Sequence, residues 1–187
     1  MAKMARKVAI ALAAAVLSAP QVSAAADDAA PNAPARAVDG HVRSRNAAIV
    51  TLIEQASERS ATFRGLLATL NASDSYVYVS EGECSHGARA CFVSVSKAGT
   101  YRMMWVRVVM RKAYGDEDLM GSIGHELRHT IEVVAVPTVN SREAMFLFYL
   151  GFASHGTGGA YETIAAVDAG NSIRSEVRAF NRHSKSE

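Results

Sequence analysis

The sequence predicts an α+β domain with an N-terminal helix, a small antiparallel or mixed sheet, a histidine-bearing helix and C-terminal helices. Two observations predict it. Apolar residues recur at spacings of three and four from about 47 to 70, again from about 118 to 135, and in stretches after 141. Between the first two of these lie three runs rich in valine and aromatic residues, parted by turn residues.

At 187 residues the chain has room for one domain plus a tail. Its first 24 residues stand apart. Lys3, Arg6 and Lys7 precede an apolar run from Val8 to Leu17, and Val22-Ser23-Ala24 offers small residues for cleavage. That is the tripartite pattern of a secretory signal peptide, too short to anchor in a bilayer. No later stretch approaches transmembrane length, so no membrane anchor is expected after cleavage near Ala24. Three of the 20 basic residues and none of the 18 acidic ones lie in the signal, which leaves 17 against 18. The basic balance of the whole chain is therefore a targeting feature, and nucleic acid is not expected as a partner. Residues 25–43, dominated by Ala, Pro, Asp and Gly, read as a disordered or extended linker. The domain is expected at 44–181, followed by a frayed tail at 182–187.

In the first helix, Ile49, Leu52, Ile53, Ala56, Phe63, Leu66, Leu67 and Leu70 form one apolar face, with Asn46 as cap. The strands are expected at 76–80, 91–96 and 101–110, joined as an antiparallel meander by the loop 81–90 and the turn 97–100. Cys84 and Cys91 flank part of that loop. In an exported protein such a pair predicts a disulfide, with free thiols or a metal site including His86 as the other readings. After Pro137, Ser141 caps a short apolar helix. The glycine-rich stretch 151–159 reads as a loop, and 160–180 as one or two helices.

The helix expected at 118–135 carries His125-Glu126-Leu127-Arg128-His129. With about 100° per residue, His129 falls near 40° and Glu132 near −20° from His125. Met120, Ile123, Leu127, Ile131 and Val134 gather on the opposite side. The histidine face then looks into a cleft while the apolar face enters the core. Two imidazoles one turn apart can hold one zinc ion, with the intervening glutamate free to handle a proton. Asp116 or Asp118 is expected to cap the helix, and Pro137 to end it.

This motif and the order of elements over about 47–180 resemble the zincin metallopeptidases. The resemblance implies that His125 and His129 are zinc ligands and that Glu126 is the general base toward the attacking water. It also implies that the strand at 101–110 is the sheet edge that holds the substrate backbone. Thr130 to Val134 do not continue to a further histidine, so the metzincin branch is excluded. The gluzincin branch takes a glutamate from a later helix as third ligand. By that resemblance the choice is Glu162, expected at the start of a later helix. Glu132 is the alternative third ligand. It lies about 10.5 Å along the axis from His125, which favours a supporting role beside His129. Gluzincins usually place an aspartate four residues after the ligand glutamate, where this chain has Ala166.

Tyr161 is a possible oxyanion donor, with Tyr149, His155 and His183 as further candidates. The expected function is zinc-dependent hydrolysis of a peptide or protein substrate in the periplasm or outside the cell. A non-catalytic envelope binding or assembly module with a structural or vestigial metal site is the alternative.

Overall fold

The computed structural model describes residues 36–152, 154–155 and 161–186; the expected signal peptide and the linker as far as residue 35 lie outside them. Strands β1 (Arg36–Asp39) and β2 (Val42–Ser44) form an antiparallel hairpin that turns at Gly40, whose φ of +57° favours a residue without Cβ. The expected linker is thus corrected at its C-terminal end: residues 36–44 contribute two strands to the domain.

The apolar stretch after Asn46 is two helices, α1 (Ala47–Arg59) and α2 (Ala61–Asn71), where one was expected. Asn46 accepts from the N–H groups of Ala48 and Ile49, as a cap should. The break falls at Ser60, whose backbone is extended and whose hydroxyl accepts from Phe63 N–H at 3.0 Å. A serine competes with the helix for its own backbone donors, and here it caps α2.

Strands β3 (Ser75–Glu81), β4 (Ala90–Ala98) and β5 (Tyr101–Val108) complete a five-stranded mixed sheet in the order β1-β2-β3-β5-β4. The antiparallel meander is corrected: β5 lies between β3 and β4, parallel to β3 and antiparallel to β4. Composition explains the placement. Met104, Val106 and Val108 of β5 are buried, and its other face carries half-buried Met103 and Trp105, so the strand is apolar on both sides. β4 ends in exposed Ser96, Lys97 and Ala98, a polar end that suits an edge. The edges of the sheet are therefore β1 and β4, and the 101–110 strand is not one. The disulfide Cys84–Cys91 closes the loop before β4, with Cα atoms 5.9 Å apart.

Helix α3 (Asp116–Val134) carries the histidine motif. Met120, Ile123 and Leu127 are fully buried in a core with Ile49, Phe63, Leu67, Met104 and Ile173. Its N-cap is Gly115, with no side-chain cap; Asp116 and Asp118, expected as caps, lie within the first turn. There the acids suit the helix dipole, and Arg178 meets Glu117 at 2.8 Å and Asp118 at 3.5 Å. At the other end, buried Arg102 donates to the carbonyls of Val133 and Val134 at 2.8 and 2.9 Å, and pairs with Asp74 at 2.7 Å. A guanidinium reaching from the sheet thus satisfies the carbonyls that a helix end leaves open.

Helix α4 (Arg142–Phe152) follows, with Ala144 N–H donating to Ser141 at 3.1 Å. A two-stranded ribbon of β6 (Ser154–His155) and β7 (Tyr161–Glu162) then leads to α5 (Ile164–His183). Most of the expected glycine-rich loop lies outside the described residues, and α5 extends two residues into the expected tail. α5 runs antiparallel to α3, with Thr163 beside Glu132 at one end and Arg178 beside Glu117 at the other. Glycines set the separation: a Cβ on Gly121 would come within 2.9 Å of the Gly170 carbonyl oxygen. Among the described residues, no helix is long and apolar enough to cross a membrane.

Candidate functional site

The motif helix presents His125 and His129 on one face, and the close α3–α5 contact brings Glu162 to them. His129 Nε2 lies 3.2 Å from His125 Nε2, and His125 Nε2 lies 3.0 Å from Glu162 Oε2. One ligand atom from each of the three residues fits within 4.8 Å of the others. Glu162 does not begin a helix, as was expected; it ends β7, one residue before Thr163, the N-cap of α5. The ribbon and the cap together fix the backbone on either side of this carboxylate.

Each histidine has a partner that orders it. His129 Nδ1 lies 2.9 Å from Glu132 Oε2, which assigns its proton to Nδ1 and leaves the Nε2 lone pair facing the cluster. Glu132 also accepts from Thr163 Oγ1 at 2.6 Å, and Tyr149 OH sits 3.4 Å away while donating to the His129 carbonyl at 2.9 Å. Glu132 therefore stands behind His129, among four polar neighbours that include the Arg128 guanidinium at 3.9 Å, and outside the His125–His129–Glu162 group. Burial opposes its charge, but the donors from His129 and Thr163 hold its carboxyl below the usual range. Burial and the charges of Glu132 and Glu126 push the Tyr149 phenol far upward, so it stays a neutral donor.

On the open side, the hydrogen bond from His125 keeps the Glu162 carboxyl low against partial burial. Burial works against a charged His125, but its bond to Glu162 and the negative charges of Glu126 and Glu162 outweigh it and raise its pKa. Glu126 points from α3 to the sheet edge. Its Oε2 accepts from the backbone N–H of Phe92 on β4 at 2.7 Å. Burial lifts the Glu126 carboxyl above the usual range although His129, His125 and the Phe92 amide all pull it down. Burial thus favours the protonated form of this carboxyl more than it would at an exposed glutamate.

Of the possible oxyanion donors, Tyr149 is engaged with the His129 carbonyl behind the cluster, and His183 ends α5. The side chains of Tyr161 and His155 lie outside the described residues. Sequence reasoning missed Thr163 and the Phe92 amide, and it named Tyr149 as an oxyanion candidate and not as a support. Thr163 had a signal, since a threonine ahead of an apolar periodic run is a helix cap. The other two depend on contacts across the fold, for which a sequence carries no local sign.

The donor types are ones that zinc takes, with two of the three spacings close to a metal site's and the three ligand atoms together within 4.8 Å. A tetrahedral zinc with bonds of about 2.0 to 2.1 Å spaces its ligand atoms about 3.4 Å apart. The two close pairs at 3.2 and 3.0 Å are already near that spacing. Two imidazole nitrogens and a carboxylate oxygen are also the ligand types that zinc takes at sites where one position stays open. No protein-family model, curated protein or solved structure matches the chain.

Proposed function

We propose that this protein is an exported zinc-dependent peptidase of zincin type, with His125, His129 and Glu162 holding one zinc ion and Glu126 as general base. The observation that carries the reading is the convergence of the two motif histidines with Glu162, whose ligand atoms fit within 4.8 Å of one another. The signal-like N-terminus and the disulfide support export.

A zinc ion supplies Lewis acidity, which polarises a scissile carbonyl and makes water acidic enough to attack at neutral pH. The residues do the rest. Glu126 takes the proton of the attacking water and returns it to the leaving amine. Glu132, braced by Thr163 and Tyr149, holds the His129 ring in one orientation and tautomer. The β4 edge, beside Glu126, offers backbone groups to an extended peptide, which would add to the sheet as a further strand.

The test combines elemental analysis with activity. Near one zinc per chain, lost in His125→Ala and weakened in Glu162→Ala, is the expected result. Glu126→Gln should retain zinc and abolish cleavage of a broad peptide pool. Zinc bound without cleavage by the wild type would favour a binding module instead, and no zinc after reconstitution would end the metallopeptidase reading.

A further inference from the structure

We infer that the backbone amide of Phe92, fixed by the adjacent Cys84–Cys91 disulfide, is the positioning group for Glu126. The inference rests on the reading of Glu126 as the base, and it adds a role for the sheet edge and the disulfide.

Four observations converge on this peptide unit. The Phe92 N–H donates to Glu126 Oε2 at 2.7 Å, at the short end of the range for such bonds. β4 is an edge strand, so an amide turned away from β5 has no strand to receive it and is free to point at α3. The β4–β5 register slips between Phe92 and Ser94, a bulge that breaks the regular ladder and re-aims the backbone at this point. Cys91, the residue before Phe92, is covalently tied to Cys84. Cys84 lies close behind Gly82, whose N–H donates to the Val108 carbonyl of β5 at 3.1 Å.

The physical need is clear from the edge position. A bulged edge strand is held from one side only, and its ladder is weakest where the donor sits. The cross-link supplies the missing restraint one residue away. A base must be placed within a fraction of an ångström of its proton, and a buried carboxylate on a flexible two-carbon stem is not so placed by its own rotamers. Holding Oε2 leaves Oε1 to exchange the proton. The disulfide acts on Glu126 through the Phe92 peptide.

The test uses the full-length chain with nitrogen-15 labelling. In the wild type the Phe92 amide proton should resonate downfield and exchange slowly, and Glu126→Gln should move it upfield as the carboxyl acceptor is replaced by a carboxamide. In Cys84→Ser/Cys91→Ser, exchange at Phe92 should quicken by at least about tenfold while the Val95 and Met104 amides change by less than about twofold. Phe92→Pro, which deletes an N–H that faces away from the ladder, should lower kcat by roughly tenfold to a hundredfold with KM little changed and zinc content intact. A Phe92 amide indifferent to Glu126→Gln overturns the inference. So does uniform quickening along β4 and β5, which would make the disulfide a general stabiliser only. If the double cysteine variant does not fold, Phe92 exchange before and after mild reduction of the folded wild type decides the part of the disulfide, and Glu126→Gln and Phe92→Pro decide the part of the amide. Failure of the peptidase reading shows separately, as absent zinc and absent cleavage, and leaves the amide measurements readable.

Discussion

Of the three glutamates of helix α3, Glu126 and Glu132 are each only 8% exposed yet differ in what surrounds them. Glu132 has His129 and Thr163 as donors and Tyr149 nearby, and is held in its charged form below the usual pKa range. Glu126 has one backbone amide, and burial raises it above that range. Two buried carboxyls on one helix are thus shifted in opposite directions, Glu132 downward by its donors and the Arg128 guanidinium 3.9 Å away, Glu126 upward by a burial that its one amide does not offset. Two titratable groups pushed apart by their environments are a recurrent mark of an acid–base site.

The sharpest way to break the comparison is to neutralise each glutamate in turn. Glu126→Gln should lower peptide hydrolysis by roughly 10²- to 10⁴-fold, the usual worth of a positioned base, with zinc still bound. Because it removes a buried carboxyl with a single hydrogen-bond donor, the variant should be at least as resistant to urea as the wild type. A clear loss of stability would show that Glu126 is an anchor too.

Glu132→Gln should do the reverse. Its primary effect is on zinc, with affinity falling by about 10- to 100-fold as His129 loses its orienting carboxylate. Stability should fall by about 1 to 3 kcal/mol, because buried donors on His129 and Thr163 lose a charged acceptor. Zinc titration and urea unfolding on the same preparation measure both. Unchanged zinc affinity would mean that Tyr149 and packing alone hold the ring.

Thr163→Val tests the brace behind the anchor. The hydroxyl donates to Glu132 at 2.6 Å and accepts from Ala166 N–H at 3.1 Å, so it joins Glu132 to the cap of α5. Loss of a cap costs about 1 kcal/mol. Thermal unfolding should show that loss, and zinc affinity should fall less than in Glu132→Gln.

How much of this was legible in the sequence depends on the range of the interaction. The motif face of α3 followed from residues within a few turns, and Met120, Ile123 and Leu127 are buried where the periodicity placed them. The disulfide followed from two cysteines in a chain with an export signal. Glu132 was placed beside His129 by helical geometry alone. The strand order was not legible, because the loop before β4 lets β5 pair with β3, and only apolarity on both faces of β5 hints at its central place. The break at Ser60 had a local sign in the serine cap, but the Glu176 carboxylate that receives its hydroxyl comes from α5 far along the chain. The Phe92 amide was invisible for a stronger reason: a backbone donor has no residue identity to read.

Glu176 separates the two causes that are mixed in the α3 pair, because it is ordered by neutral donors far from the histidines. Its carboxylate accepts from the Ser60 hydroxyl, from the Thr62 hydroxyl at 2.7 Å and from Thr62 N–H at 3.1 Å. Partial burial raises its pKa, but these hydrogen bonds outweigh that and lower it. A carboxyl lowered in the folded state contributes stability above its unfolded pKa and loses it as pH falls through the folded value. Glu176→Gln should therefore be less stable than the wild type at neutral pH, and the gap should close on acidification below the ordinary carboxylate range. Urea unfolding at several pH values reads this small effect. A gap that persists in acid would assign the role of Glu176 to packing at the α1–α2 junction, and donors alone would then not explain why Glu132 is an anchor.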